Sequence, residues 1–493
     1  NQLDETDNAH GMHWMPRELP VNVKVVASCI DEPGKNEPVL RAMRGRKAHR
    51  IRLDPLTDQE RFGIVTEVPS LSAKTLNPSQ VQALLNNPAT RNPLFLLVAL
   101  EELRGFGSYE LLDARIKALP TGEDAVILLF AQVLERLELE FDAENVRTLL
   151  SLLAAARRGL SERELLELVE GHGDRTRSRS DLFPILRQLR GYLQNRSGLL
   201  NFFHRSLHEA ARARYLDTPD ALQNACKRLA DYFERGPVTG HSNDELPWLL
   251  RKLHDRGRLR SCVLAMPRFR GIFNQDPIEL RGYWIWLGEE RVMGASYLEA
   301  YESWRVSSSP ATEDMIHAGN EVAAFLSDAW LHNEAESLYR RVLEICEDSG
   351  APDNDRVASI CSNLGEALRK AGRARDAEPF LVRAVRIMES NGPGDPSRYA
   401  KAVNNYGLVL LATGRPTEAE PFFRRALGIA ERAHGPGHPD VARYLNNLAL
   451  VFAANKRPDE AESFYHRAMA VWEGVYGPDH PEVANALYDR AVL

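Results

Sequence analysis

From Val357 to the C-terminus the sequence repeats itself with a period of 42 residues. Asn363, Asn405 and Asn447 fall in register, as do Gly365/Gly407/Ala449, Ala377/Ala419/Ala461 and Ala384/Ala426/Ala468. A fixed period in this range predicts a solenoid of helical hairpins, in which each unit buries its apolar face only against its neighbours.

The small residues explain the repeat physically. Val403, Tyr406, Gly407 and Leu410 recur at helical spacing, and the glycine lets a second helix come close. That second helix is expected to begin near Thr417 and to carry Ala419, Phe423 and Ala426 on one face. Gly414-Arg415-Pro416 reads as the turn between them, since Gly ends helices readily and Pro is tolerated in a first turn. Gly435-Pro436-Gly437-His438-Pro439 reads as the turn to the next unit, echoed at Gly477-Pro478-Asp479-His480-Pro481. A degenerate earlier unit is traceable from Asp314 to Asp348, giving about four hairpins and the start of a fifth. No polar capping helix precedes Leu493, so further repeats or a partner are expected beyond it.

These residues resemble the tetratricopeptide repeat (TPR), in the long form found in kinesin light chains. The family's small-residue pattern maps onto Gly407, Ala419 and Ala426, and Ala442–Ala449 is similar to its first helix. The resemblance implies that Asn363, Asn405 and Asn447 line a groove and hold the backbone of a protein or peptide ligand. An amide donates and accepts at once, which suits backbone recognition. The competing reading is that each amide serves a neighbouring repeat, as most side-chain hydrogen bonds stay within the protein or go to water. Arg383, Arg425 and Arg467 are periodic too and read as a solvated face.

Composition sets outer limits. A chain of 493 residues exceeds one ordinary domain, and its formal charge of −7 argues against coating nucleic acid. Cys29, Cys226, Cys262, Cys346 and Cys361 are odd in number and lack paired spacing, so neither a zinc site nor a disulfide framework is indicated, and a cytoplasmic location fits. No apolar run reaches the roughly 18 residues of a membrane span, and the first residues are unlike a signal peptide. No membrane partner is expected.

The N-terminal third reads differently. Val21–Cys29 is an apolar, β-prone run of the kind that forms a buried parallel strand, whose sheet would lie upstream of Asn1. With Trp14-Met15-Pro16-Arg17-Glu18-Leu19-Pro20 before it and Ser28 at its end, it resembles the stretch after the Walker B strand in STAND-type NTPases, specifically the NACHT domains of nephrocystin-3-like proteins. Leu53-Asp54-Pro55-Leu56, followed by Glu60 and Ile64, reads as the short strand and helix that close that domain. Ser161 and Glu164 form a capping box, and Ser197-Gly198 reads as a hairpin turn before His204. In that family the strand-end polar residue senses phosphate, a helix-opening proline lies against adenine, and a histidine after the wing touches the nucleotide phosphate. Ser28, Pro93 and His204 are the matching positions.

The resemblance therefore implies a mainly α chain in five parts: the end of an α/β nucleotide-binding domain (1–55), a helical domain (56–120), a winged helix (121–217), a helical linker array (218–309) and a right-handed TPR superhelix (310–493). No Gly-x-x-x-x-Gly-Lys-Ser/Thr run occurs, and the acidic Walker B strand is missing, so the residues present do not supply phosphoryl-transfer machinery. ATP or ADP is expected only together with an upstream domain. Catalytic residues and metal ligands are not indicated: the histidines are dispersed, and neither a His-Glu-x-x-His nor a Gly-x-Ser-x-Gly run is present. The basic clusters Arg157-Arg158 and Arg175–Arg179 fall in expected loops, so nucleic acid is not the expected partner of the winged helix. By resemblance the chain is a protein-binding sensor that controls nucleotide-dependent homo-oligomerisation, a role that bacterial proteins of this architecture use against viruses. The alternative is a constitutive adaptor of the kinesin-light-chain kind.

Overall fold

The computed structural model describes residues 54–67, 76–105, 112–170, 179–349, 354–391, 394–478 and 480–492. Among them the structure is α-helical apart from turns, one short 3-10 helix and a single two-stranded sheet, so the chain is mainly α. The strand expected at Val21–Cys29, and Ser28 with it, lies outside the described residues. Asp54–Thr57 form no strand, and the helix expected around Glu60 and Ile64 runs Asp58–Glu67. Two compact units divide at Val263/Leu264, inside the segment read as one linker array from the sequence.

In the unit His49–Val263, short helices lead to Ala125–Glu140, Ala143–Ala155, Glu162–Glu170 and Arg179–Leu189. An antiparallel hairpin, Leu193–Arg196 with Leu199–Phe202, follows. Its turn falls on Ser197 and Gly198, both with left-handed backbone (φ 53 and 87), which matches the twist of a two-residue hairpin. Leu160 pairs with Leu200 through two backbone hydrogen bonds of 3.0 and 2.8 Å, adding a bridge beside the hairpin. Just after it, the Glu164 amide donates to Ser161 Oγ (3.2 Å) while Glu164 accepts from the Ser161 amide (2.8 Å), so both ends of the capping box are made.

One buried carboxylate organises a loop here. Glu245, fully buried, accepts from the amides of Arg157 (2.9 Å) and Arg158 (2.6 Å). His241 lies between Glu164 (2.9 Å) and Glu245 (3.5 Å). Burial opposes its positive charge, but the two carboxylates outweigh it and push its pKa up to about 9.

The unit Leu264–Leu493 opens with helices rich in aromatics. Trp284 Nε1 donates to the Tyr297 hydroxyl at 3.0 Å, and the Phe269, Tyr297 and Phe325 rings meet edge to face in one buried cluster. Four hairpins follow: Thr312–Asp328 with His332–Asp348, Asp355–Lys370 with Ala374–Ser390, Pro396–Ala412 with Pro416–His434, and Pro439–Ala454 with Pro458–Tyr476. A further helix, Pro481–Ala491, repeats the first helix of a hairpin.

The periodic small residues sit where the two helices of a hairpin meet. Ala377, Ala419 and Ala461 are fully buried, as are Ala384, Ala426 and Ala468. Each first helix after the first hairpin has a side-chain cap accepting backbone N–H groups that the helix itself leaves unmet, supplied by Asn354, Asp395, His438 and His480. The histidines of the Gly-Pro turns are thus caps: His438 Nδ1 accepts from the Asp440 amide and His480 Nδ1 from the Glu482 amide, each at 3.2 Å.

Candidate ligand-binding face of the repeats

The first helices of successive hairpins adjoin one another, and the conspicuous asparagines lie along that junction. Their amides are turned toward the neighbouring repeat. Asn447 Nδ2 donates to Asn404 Oδ1 at 2.7 Å, Asn363 Nδ2 to Asn320 Oδ1 at 3.1 Å, and Asn405 Nδ2 to Glu366 at 3.4 Å. Asn405 and Asn447 are buried and Asn363 is half-buried. The row read as a peptide clamp therefore also links repeats, with side chains rather than backbone as the partners.

A charged cluster that the sequence reading missed lies on the same face. Glu366 forms ion pairs of 3.0 Å with both Lys370 and Lys401, and Lys401 also donates to Asn363 Oδ1 at 3.3 Å. Burial would raise the Glu366 pKa, yet Lys401 and Lys370 overcome it and hold the carboxyl at about 2. It is a fixed anion near neutral pH. On the first helices of the next two hairpins, Arg398 and Arg443 are largely exposed while paired with Asp395 and Asp440, Lys401 is about half exposed, and Leu408 and Leu450 are half-buried. The arrangement offers donors, charge and some apolar surface along a line, which suits an extended chain better than a small molecule.

A second periodic set holds the outer helices. Arg373, Arg415 and Arg457 each reach a glutamate of the preceding repeat, namely Glu336 (2.6 Å), Glu378 (2.8 Å) and Glu420 (3.1 Å). Arg383, Arg425 and Arg467 likewise pair with Glu347 (2.5 Å), Glu389 (2.6 Å) and Glu431 (3.4 Å). The arginines read as a solvated face are thus partly exposed inter-repeat ties, each worth little alone.

The positions matched to nucleotide contacts have local structural roles. Pro93 is exposed and opens the helix Pro93–Gly105, whose first amides are met by Asn92 Oδ1, from Leu94 at 2.9 Å and Phe95 at 3.3 Å. His204 caps Arg205–Tyr215, its Nδ1 accepting from the Ser206 amide at 3.1 Å, and burial lowers its pKa. Among the described residues no group of metal-ligating side chains is present, and no helix is long and apolar enough to cross a membrane.

Stacked helical hairpins with buried small residues at a fixed period define a tetratricopeptide repeat array. The tetratricopeptide repeat family model matches residues 314–390, 398–465 and 445–493. Beyond the repeats, the chain is similar to mouse nephrocystin-3, at 28% identity over 372 residues that cover 72% of this chain and 27% of that protein. It is also similar to a TPR repeat-containing protein of Dictyostelium discoideum, at 24% identity over 76% of this chain and 23% of the other. The chain spans about a quarter of the length of these curated relatives. Among solved structures, a Signal Transduction ATPase with Numerous Domains (STAND) protein with a tetratricopeptide repeat sensor from Pyrococcus horikoshii aligns over 90% of this chain and 63% of its own, at 12% identity and a TM-score of 0.40. The resemblance to tetratricopeptide repeats and to nephrocystin-3-like proteins read from the sequence is met by the family model and the curated relatives.

Proposed function

We propose that this chain is the sensor and scaffold part of a STAND signalling protein, in which the repeats bind a protein or peptide ligand and thereby control a nucleotide-dependent assembly. The observation that carries the reading is the polar row along the first repeat helices, Asn363, Lys401, Asn405, Arg443 and Asn447, on an array of matched repeats. Similarity to nephrocystin-3 over the region before the repeats supports the rest. On this reading residues 121–217 act as a winged helix, and Ser28, Pro93 and His204 meet ATP or ADP once an upstream phosphate loop is in place. Release of the winged helix then permits oligomerisation, and the ligand is a viral protein if the chain serves bacterial defence.

The test is sedimentation of a chain extended upstream through an intact phosphate loop, with ADP or ATP and with or without ligand. A switch changes its assembly state with nucleotide and ligand together; sedimentation that ignores both overturns it and leaves the constitutive adaptor. Ligand capture by the Asn405→Ala and Asn447→Ala chains, compared with the unaltered one, tests the row separately: capture unchanged in both removes the asparagine assignment.

A further inference from the structure

The capped first helices of the repeats do not share one kind of cap. Asn354 and Asp395 supply oxygens to the second and third hairpins. His438 and His480, one period apart, supply ring nitrogens to the fourth hairpin and to the helix after it. In each histidine cap the donor is a backbone amide 3.2 Å from Nδ1. An amide N–H only donates, so Nδ1 carries a lone pair and the ring proton sits on Nε2. An imidazolium has no lone pair to offer, because both of its nitrogens are donors. The oxygens of Asn and Asp keep theirs through the range in which histidine ordinarily titrates, about pH 5 to 8.

Each ring also has another partner for its charged form. His438 stacks on His434 at 4.4 Å between centroids, and its Nδ1 lies 3.6 Å from Asp440 Oδ2. With a proton on Nδ1, His438 would donate to that carboxylate, which Arg443 already holds, and leave the Asp440 amide unmet. His434 is bonded to Ser397 Oγ through Nε2 at 2.8 Å, and charge on both stacked rings is repulsive. His480 stacks on Tyr476 at 4.2 Å, the residue one period after His434, and makes no ion pair among the described residues. Its imidazolium would keep the tyrosine face as a cation–π partner and lose the Glu482 amide. At both positions the new charge sits at a helix N-terminus, where the backbone dipole opposes it.

We propose that His438 and His480 make the last two joints of the array acid-sensitive: protonation withdraws both caps and loosens the helices Pro439–Ala454 and Pro481–Ala491, while the joints capped by Asn354 and Asp395 hold. The caps are complete above the histidine range and are lost as pH falls through it. The loosened fourth hairpin is the one that carries Asn447, bonded to Asn404 of the repeat before. Acid therefore acts on the stacking of the repeats through their turns, whether or not the asparagine row holds a ligand.

The test is peptide-resolved hydrogen exchange of the full chain between about pH 7.5 and 5, corrected for the intrinsic pH dependence of exchange; the range brackets ordinary histidine titration. Resolution by peptide separates these joints from other titrating groups such as His204 and His241. In the unaltered chain, local opening of Pro439–Ala454 and Pro481–Ala491 should rise about 2- to 30-fold on acidification, the span for losing a side-chain cap. The double variant His438→Asn, His480→Asn keeps an acceptor that does not titrate, so it should lose this rise. The difference between the two chains should be absent from Asp355–Lys370. The double variant His438→Ala, His480→Ala should be as open at pH 7.5 as the unaltered chain is in acid, with its helical circular dichroism retained. An acid response of the Asn variant equal to that of the unaltered chain overturns the proposal, as does an Ala variant no more open than the unaltered chain at pH 7.5.

Discussion

Gly365 and Gly407 occupy the same repeat position but do not tolerate a methyl group equally. A Cβ built on Gly365 would lie 2.5 Å from Leu381 Cγ and 2.9 and 3.0 Å from its two methyls. The Cγ is the branch point of a fully buried side chain, so it moves only if the second helix moves. At Gly407 the contacts are the far end of the Phe423 ring, at 3.0, 3.1 and 3.2 Å. A tilt of a few tenths of an ångström relieves them, and the fourth hairpin carries the buried Ala449 at this position opposite Tyr465. Replacing a helix-interior glycine by alanine contributes about 1 kcal/mol, against which overpacking costs about 1–3 kcal/mol. Gly407→Ala should therefore be within about 1 kcal/mol of neutral, while Gly365→Ala should lose about 1–2 kcal/mol.

Urea unfolding followed by circular dichroism reads the difference. Hydrogen exchange in the second hairpin localises it, since an array of repeats need not unfold as one unit. A coupling check follows from the geometry. Leu381→Ala should cost less in the Gly365→Ala background than alone, because the new methyl occupies part of the space vacated. If Gly365→Ala is as stable as Gly407→Ala, the close helix approach is not what selects glycine at this position.

Two further outcomes concern the buried carboxylate and its histidine. Because the His241 pKa is raised from 6.5 to about 9, its stabilisation should be full below pH 6.5 and fade as pH rises through 9. That rise corresponds to about 3 kcal/mol at most. The unfolding midpoint measured from pH 6 to 10 should drop in this window, and His241→Gln should flatten the drop; an identical drop in the variant refutes the assignment. Glu245→Ala strands the amides of Arg157 and Arg158 and should cost about 2–4 kcal/mol, with exchange at those two amides accelerated. Protection unchanged at both amides would mean that the loop is held by something else.

The hairpins were legible because one period fixes both helices and the contact between them. Recurrence of Gly407, Ala419 and Ala426 says where the helices touch before any coordinates exist. The inter-repeat ties were not read, although Glu336/Glu378/Glu420 and Arg373/Arg415/Arg457 recur with the same 42-residue period. Their pairing joins residues 37 apart, which no rule of helix spacing supplies; it follows from how one hairpin stacks on the next. Glu245 left no local signal either, since its partners are 88 and 87 residues away and are backbone groups. The capping histidines hid for another reason: in a Gly-Pro turn a histidine looks like surface, and only the backbone direction shows that its ring nitrogen faces an unmet amide.

The asparagine row gains a different meaning once its partners are known. A ligand that took the Asn447 or Asn405 amide would have to break a bond to Asn404 or Glu366 in the preceding repeat. Exchanging one hydrogen bond for another changes free energy by only about 1 kcal/mol, so the row by itself supplies little affinity. What it supplies is coupling. On the proposed reading, each bond surrendered to a ligand would loosen the junction between two first helices and so bias the stacking of the repeats. The first repeat helix is itself tied to the helix Met266–Gln275, where Glu321 accepts from Arg270 at 2.7 Å and from Asn274 at 3.2 Å. A change in stacking at the row thus has a continuous polar and helical route to the start of the unit, and differential binding to two stackings is the physical requirement for a sensor. An adaptor needs no such link; it would be served as well by amides that face solvent and bind without disturbing their neighbours.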